Sequence, residues 1–296
     1  MSGDLKSPRF ASNARLRNAA GNAPPLIHGE SGPAVAIVQQ AFIDLGLAMA
    51  RSTKKLGRPD GIFGGETESR VWQFQARTGL ERDGIVGRST MAKLDELLPT
   101  AGPPAKPLPD PGPSHRINVH MRSIDNPVVP EFTQLEVMQV VFSQYLIEVV
   151  MLSGESIGLQ PGEQLTLNVV EGDCEWDQVS DEQRLLQNQG SKQNVGPNDV
   201  TVYFATIIRE KNGKTLQGCA GHPPDRPAVM IAATAIDKTT MAHEVCHVLL
   251  GSSFSPVHVD DSANLMCSAA VCTGDPAYLS TVQLKRVFAS KIVQKR

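Results

Sequence analysis

One short segment near the carboxyl end gathers the residues with the greatest potential for chemistry. Three of the seven histidines lie between residues 243 and 258, and the first two enclose the sequence His-Glu-Val-Cys-His. Residues four positions apart share one face of a helix, so His243 and His247 can offer imidazole nitrogens to a single metal ion. Glu244 lies beside the first of them and is placed to take a proton from water. The segment therefore predicts a catalytic metal site on a helix.

The third ligand must come from farther along the chain, because a catalytic zinc ion usually takes three protein ligands. No glutamate follows Glu244, which excludes a glutamate ligand from a later helix. The remaining downstream donors are His258, Asp260, Asp261 and Asp275. Gly251 can end the helix and reverse the chain, so His258 is the preferred third ligand. Asp260 is the alternative ligand; otherwise it or Asp261 accepts a hydrogen bond from a ligand.

The segment resembles the metzincin clan of zinc peptidases, in which H-E-x-x-H is followed by a glycine turn, a third histidine and a methionine-bearing turn. The matching positions are His243, Glu244, His247, Gly251, His258 and Met266. Cys246 replaces the usual glycine inside the motif, and the loop from His247 to His258 is longer than is typical. The resemblance implies that the three histidines bind Zn²⁺, that Glu244 activates water for amide hydrolysis, and that Met266 is a structural residue beneath the metal.

Hydrophobic patterns predict the elements around this site. Strands are expected from Ile117, Gln164 and Asp199, and helices from Thr133 and Ser280. The stretch that begins at Gly218 contains an apolar run flanked by prolines and predicts an edge strand just before the metal helix. Metzincins receive extended substrates at such an edge. For residues 115–296 the resemblance implies an α+β zincin-like domain with a mixed sheet.

The first half of the chain contains an internal repeat. DGIFGGET at residues 60–67 and DGIVGRST at residues 83–90 share an Asp-Gly turn, an apolar residue, a second glycine and a threonine at a helix start. Apolar residues at helical spacing follow each repeat, and an earlier helix begins near Ser31. Residues 28–98 are therefore expected to form a small all-α domain of three helices.

This order of motifs resembles the peptidoglycan-binding domain that is appended to many bacterial cell-wall enzymes. The resemblance implies a non-catalytic module, with bacterial peptidoglycan as its partner. The chain departs from the family in a longer insertion at residues 48–59. Turns and core packing also explain the glycines and the aromatic residues Phe63, Trp72 and Phe74, so no polymer contact is assigned.

The two domains are separated by a proline-rich segment. Residues 99–114 contain seven prolines and predict an extended linker. The alternative, a proline-rich ligand for a partner domain, lacks the aromatic or basic residues that such ligands arrange for recognition. We predict a flexible tail at residues 1–27, the helical domain at 28–98, the linker at 99–114 and the peptidase domain at 115–296.

Composition narrows the classes of function. The chain of 296 residues is 41% hydrophobic and 20% charged, as in soluble globular proteins, and its net charge of -3 gives no case for nucleic-acid binding. No run approaches the roughly 18 apolar residues of a membrane span. The resemblance to wall-binding domains implies an extracellular, cell-wall or periplasmic location, and the delivery route stays open because the first residues have no apolar run typical of a secretory signal.

The five cysteines allow two disulfide bonds and one free thiol. We predict that Cys267 pairs with Cys272, because their short spacing allows a bridge if the chain turns between them. Cys174 is predicted to pair with Cys219. Cys246 then remains as a small buried side chain inside the metal helix.

Two functions account for these features. The first is a zinc metallopeptidase anchored to or targeted at the bacterial cell wall, with either a protein or the peptide part of peptidoglycan as substrate. The edge strand favours an extended polypeptide, and the first domain favours wall peptide. The alternative is a non-catalytic wall-binding or adhesion protein with a degenerate peptidase fold. Cys246 and the long loop to His258 support it, whereas intact His243, Glu244 and His247 argue against it.

Overall fold

The computed structural model describes residues 5–99, 106–172, 174, 179–223, 225–268, 273–274 and 276–296. The chain divides into two compact units. The first comprises Met1–Gly112 with Tyr278–Thr281, and the second comprises Pro113–Ala277 with Val282–Arg296. Among the described residues, no helix has both the length and the apolar character needed to cross a bilayer.

The first unit is helical. Its helices are α1 (Pro8–Ala11), α2 (Ala14–Ala20), α3 (Pro33–Asp44), α4 (Ala50–Lys54), α5 (Gly65–Thr78) and α6 (Arg88–Leu97). The predicted flexible tail at residues 1–27 is wrong for the described part, because Phe10 of α1 and Leu16 of α2 are fully buried in the core. The end of the predicted linker also packs on this unit, since the Leu108 N–H donates to the Leu45 carbonyl at 3.0 Å. Residues 100–105 lie outside the described residues.

A repeated hydrogen-bond network fixes the two glycine loops of this unit. The Gln39 amide donates to Asp60 Oδ1 at 2.8 Å and to the Ile62 carbonyl at 3.0 Å. Its Oε1 accepts the Gly61 N–H at 2.9 Å. The second loop repeats this network with the counterparts Gln75, Asp83, Gly84 and Ile85. The second residue of each Asp-Gly turn has a φ of 72°, which favours glycine.

The second unit is an α/β domain. Its strands are β1 (His115–Ser123), β2 (Ile147–Ser156), β3 (Val170–Glu171), β4 (Val200–Ala205), β5 (Ile208–Arg209), β6 (Thr215–Leu216), β7 (Gly218–Cys219), β8 (Ala228–Ala232) and β9 (Gln294–Lys295). Its helices are α7 (Glu131–Ser143), α8 (Pro161–Leu167), α9 (Asp181–Gln187), α10 (Thr240–Leu250) and α11 (Thr281–Ala289). The described strands form a mixed sheet of order β2-β1-β4-β8-β7, in which only β7 runs antiparallel along this path and β9 pairs antiparallel with β1. Strands β3, β5 and β6 form a smaller sheet.

Three sequence expectations about these elements are corrected. The helix expected from Thr133 ends at Ser143, and the next apolar residues form β2, because the left-handed Leu146 (φ 59°) turns the chain. The strand expected from Gln164 begins inside α8, whose start is set by Pro161 and a capping box between Gln160 and Glu163, and only Val170–Glu171 of that stretch form a strand, β3.

The apolar run after Pro227 is not the edge of the sheet. It forms β8, which is fully buried and pairs with both β4 and β7. The edge is β7, the first two residues of the same stretch. Continuous burial of β8 fits a strand with neighbours on both sides, and α10 packs against it. Helix α10 therefore packs against an inner strand, β8, and against the short antiparallel edge strand β7.

Candidate metal centre

Helix α10 positions the first two histidines. The Asp237 carboxylate accepts the N–H and the hydroxyl of Thr239 at 2.8 and 2.7 Å, which satisfies donors at the helix start. At the other end, the Gly251 N–H donates to the His247 carbonyl at 2.9 Å and the helix stops. The helix face formed by Met241, Val245 and Leu249 is buried, so the helix is fixed in the domain and its histidines have a defined direction.

The structure brings His243, His247 and His258 together. Their Nε2 atoms form a triangle with sides of 3.0, 3.1 and 3.2 Å. Tetrahedral ligands about 2.0–2.1 Å from a zinc ion are about 3.3 Å apart, so the triangle is close to the size that zinc requires. Within the described part of the chain, these histidines are the one group of three or more His, Cys, Asp or Glu side chains that could hold a metal ion.

The protonation of the histidines also suits a metal. Nδ1 of His243 lies 2.7 Å from the Leu265 carbonyl, which can only accept, so Nδ1 carries the proton and Nε2 presents a lone pair. Burial lowers the pKa of His243 to about 4, and burial lowers the pKa of His247 and of His258 as well. Neutral imidazoles at neutral pH are the form that binds metal. The donor set therefore fits a divalent ion that accepts nitrogen ligands.

The long loop after α10 is anchored beside the predicted methionine. The Val259 N–H donates to the Met266 carbonyl at 2.9 Å, and the Val259 carbonyl accepts the Ser268 N–H at 3.1 Å. This pairing places His258, the preceding residue, beside His243 and His247 despite the extra loop residues. Met266 is fully buried, as expected for a structural residue.

The two candidate aspartates lie outside the histidine cluster. Asp260 is exposed. The Asp261 carboxylate accepts the Ala263 N–H at 2.9 Å and so stabilises a turn. Neither belongs to the metal-binding group found among the described residues, and Asp275 lies outside those residues.

Glu244 faces the same cavity as the three histidines. This cavity has a volume of about 690 Å³. Burial raises the pKa of Glu244 to about 8. A Cβ added to Gly218 on β7 would lie 2.5 Å from Glu244 Cγ and 2.6 Å from its Oε1, so the glycine leaves the space that the carboxylate occupies. The sequence predicts Gly218 only as part of an edge strand. The space that it leaves for Glu244 follows from the proximity of β7 and α10, which the sequence does not show.

The cysteines frame the same region. Cys174 and Cys219 form the predicted disulfide bond, and both line the cavity. Cys267 is disulfide-bonded and also lines the cavity, while Cys272, its predicted partner, lies outside the described residues. Cys246 is a buried free thiol whose pKa is raised by burial. It therefore behaves as a packed side chain.

A family model matches part of the first unit. Residues 31–94 match the family model described as putative peptidoglycan binding domain. An uncharacterized protein from the bpoA1 3′ region of Kitasatospora aureofaciens is 58% identical over 36 residues, which are 12% of this chain and 30% of that protein. The chain therefore spans less than a third of this curated relative.

Two solved structures are similar to a larger share of the chain. Metalloproteinase-II from Bacteroides fragilis has 14% identity and a TM-score of 0.43, and the match covers 63% of this chain and 56% of that one. Archaemetzincin from Methanopyrus kandleri has 11% identity and a TM-score of 0.37, and the match covers 59% of this chain and 96% of that one. The family match confirms, for residues 31–94, the resemblance predicted from the paired glycine loops.

Proposed function

We propose that the protein is a zinc metallopeptidase that cuts polypeptide or wall-peptide substrates at the bacterial cell wall. The observation that carries the proposal is the triangle of three Nε2 atoms, with sides of 3.0 to 3.2 Å, beside the buried Glu244 carboxylate in one cavity. Zinc, when bound by these imidazoles, supplies a Lewis acid that polarises the scissile carbonyl and lowers the pKa of water.

The chain supplies the proton transfer. Glu244 lines the same cavity as His243 and His247. Its carboxylate can therefore take a proton from the attacking water and return it to the leaving amine. Burial raises the pKa of Glu244 to about 8 in the absence of a cation, and a bound cation would lower that pKa and favour the carboxylate form that accepts a proton. Burial around the cavity also favours neutral imidazoles over protonated ones.

Substrate access is supported by the position of β7. Among the described strands, β7 ends the main sheet, so an extended peptide can add to the side of β7 that faces away from β8 and pass the cavity. The domain at residues 31–94 supports a wall location, because its family is described as peptidoglycan-binding. Together these features favour peptides that are held at the wall, whether they belong to proteins or to peptidoglycan.

The test compares hydrolysis of denatured protein with hydrolysis of purified peptidoglycan by the zinc-loaded full chain. Glu244→Gln should lower the rate by about 10²- to 10⁴-fold while zinc stays bound. Glu210→Gln is the matched control, since Glu210 lines the same cavity and is expected to leave the rate within about twofold. Equal hydrolysis by Glu244→Gln and the unaltered protein would contradict the mechanism.

A wall-binding protein without catalysis is the second candidate, and the family match of residues 31–94 is the observation that favours it. Sedimentation of Glu244→Gln with insoluble peptidoglycan measures wall binding without digestion. Binding of the wall by a protein that holds no zinc and cuts neither substrate would favour this second function.

A further inference from the structure

Two of the three histidines depend on one turn, formed by residues 264–268. The Leu265 carbonyl accepts from Nδ1 of His243 at 2.7 Å, which fixes the ring and its tautomer. The Met266 carbonyl accepts the Val259 N–H at 2.9 Å and thereby holds the residue next to His258. A displacement of this turn would move both rings, although they are fifteen residues apart in the chain.

The 264–268 turn is itself held by a buried side chain. Asn264 Oδ1 accepts the Met266 N–H at 2.8 Å, and the Asn264 carbonyl accepts the Cys267 N–H at 3.2 Å. The side chain of Asn264 is thus the internal brace of the turn. Its orientation matters, because a rotated amide would present a donor to the Met266 N–H.

Gln283 on α11 fixes that orientation. Asn264 Nδ2 donates to Gln283 Oε1 at 2.9 Å, and Gln283 Nε2 donates to Asn264 Oδ1 at 3.1 Å. Each side chain is only 2% exposed, so water does not replace these bonds at low cost. The reciprocal pair leaves one orientation in which both amides are satisfied.

We propose that Gln283 is a positioning residue for the metal centre, acting through Asn264 and the 264–268 turn on the imidazoles of His243 and His258. The inference rests on the proposed function for the existence of the metal site, and it adds a residue outside the three histidines. Gln283 lies 25 residues beyond His258 and belongs to no metal-binding motif. Replacing a group that hydrogen-bonds a metal ligand typically changes metal affinity by about 10- to 100-fold, and Gln283 acts on such a group, the Leu265 carbonyl, through the 264–268 turn.

The experiment measures binding of Zn²⁺ alone, and the visible spectrum with Co²⁺ alone, on the full chain. Gln283→Ala is expected to weaken Zn²⁺ binding by about tenfold or more and to change the Co²⁺ ligand-field bands. Gln283→Glu preserves the side-chain length but places an acceptor opposite Asn264 Oδ1, so it should weaken Zn²⁺ binding to a similar extent. It provides the test if the alanine variant folds poorly. The double variant Asn264→Ala/Gln283→Ala should bind Zn²⁺ no more weakly than the weaker single variant, because the two residues act in series.

Asn118→Ala is the matched control. Asn118 is a buried amide of the same unit that donates to Asp199 Oδ1 at 2.9 Å, in a network that the 264–268 turn does not share. It should lower the melting temperature while leaving Zn²⁺ affinity and the Co²⁺ spectrum unchanged. A purely structural role for Gln283 would instead give the Asn118→Ala pattern.

The outcomes separate the two proposals. Unaltered Zn²⁺ affinity and Co²⁺ spectra in both Gln283 variants, with binding lost in His243→Ala, overturn the positioning role and leave the metal site standing. If the Gln283 variants bind Zn²⁺ more weakly and the unaltered protein cuts no peptide, the positioning role is supported and the proposed peptidase activity is contradicted. An unaltered protein that binds no Zn²⁺ overturns both.

Discussion

His243 is constrained at both nitrogens of its ring. Nδ1 faces the Leu265 carbonyl at 2.7 Å, and Nε2 lies 3.0 Å from Nε2 of His247 and 3.2 Å from that of His258. Three neutral nitrogen lone pairs at such distances repel one another unless a cation or protons lie between them. Burial disfavours protonation, since it lowers the pKa of His243 to about 4. A divalent ion is the simplest species that stabilises this arrangement.

Gly218 provides a test of the space around Glu244. Gly218→Ala places a Cβ 2.5 Å from Glu244 Cγ, so the carboxylate must move away from the metal site. We expect hydrolysis to fall by about tenfold or more, while Zn²⁺ affinity stays within about twofold because the imidazoles are untouched.

Steady-state kinetics and a Zn²⁺ competition assay check this expectation. Gly158→Ala is the control, because a Cβ there meets no atom within 4 Å and the glycine needs no positive φ. Full activity in Gly218→Ala would show that Glu244 does not need its present position.

At the scale of elements, local patterns in the sequence predict α10 well and the rest of the site less well. His243 and His247 lie one helical turn apart, so periodicity alone aligns them. His258 depends on the pairing of Val259 with Met266, which spacing does not reveal. The Asn264–Gln283 pair joins a turn to a separate helix, and no local pattern marks it.

The errors in the fold have similar causes. The segment after Ser143 is apolar at both helical and strand spacing, and the turn at Leu146 decides its structure. The residues from Pro8 to Ala20 contain few large apolar side chains, yet Phe10 and Leu16 are enough to attach two helices to the core. Long-range packing decides both cases, and a single sequence does not display it.

The two glycine loops make a prediction about the helical unit. Gln39 is fully buried and bonds Asp60, Gly61 and Ile62, so Gln39→Ala breaks all three bonds and leaves the buried Gly61 N–H without this acceptor. The free energy of unfolding of this unit should fall by about 2–3 kcal/mol.

Gln40→Ala is the control, because the neighbouring Gln40 makes a bond only to Asp44 within its own helix among the described residues. Its effect should stay within about 0.5 kcal/mol. Urea unfolding followed by circular dichroism on the full chain measures both variants. Equal losses in the two would contradict the bracing role of Gln39.

Asp199, the residue before β4, is bonded to Asn118 and His120 of β1. Burial raises the pKa of its carboxyl, but hydrogen bonds from Asn118, the Gly196 N–H and His120 outweigh that effect and hold the pKa below its usual value. A carboxyl whose pKa is lower in the folded state stabilises the fold above its unfolded pKa and loses that contribution as pH falls through its folded pKa.

The stability advantage over Asp199→Asn should therefore be full, about 1–3 kcal/mol, near pH 6 to 7 and shrink as pH falls below about 4. Urea unfolding of both proteins without metal measures this difference. Protonation of the site histidines affects both proteins equally and therefore cancels from the difference. A difference that grows on acidification would contradict the assigned sign.

At the scale of the whole molecule, metal binding should stabilise one unit selectively. All three histidines belong to the second unit, and a ligand stabilises what it binds by about 2.7 kcal/mol at 100 times its Kd. Chelation of Zn²⁺ should therefore speed amide exchange in α10 and residues 258–268 by up to about 100-fold, and leave α3 and α5 unchanged.

Hydrogen exchange with mass spectrometry measures both units in one sample. Added Zn²⁺ should restore protection and Mg²⁺ should not, since Mg²⁺ prefers oxygen ligands. Equal changes in α3 and α10 would argue against a site confined to the second unit.

The central claim is that one zinc ion lies among three imidazoles with Glu244 beside it. Diffraction data collected at the zinc absorption edge from crystals of the zinc-loaded protein test it most directly. The account predicts a single strong anomalous peak about 2.0–2.1 Å from Nε2 of His243, His247 and His258. An empty map at this position, with the three rings turned away from one another, would contradict it.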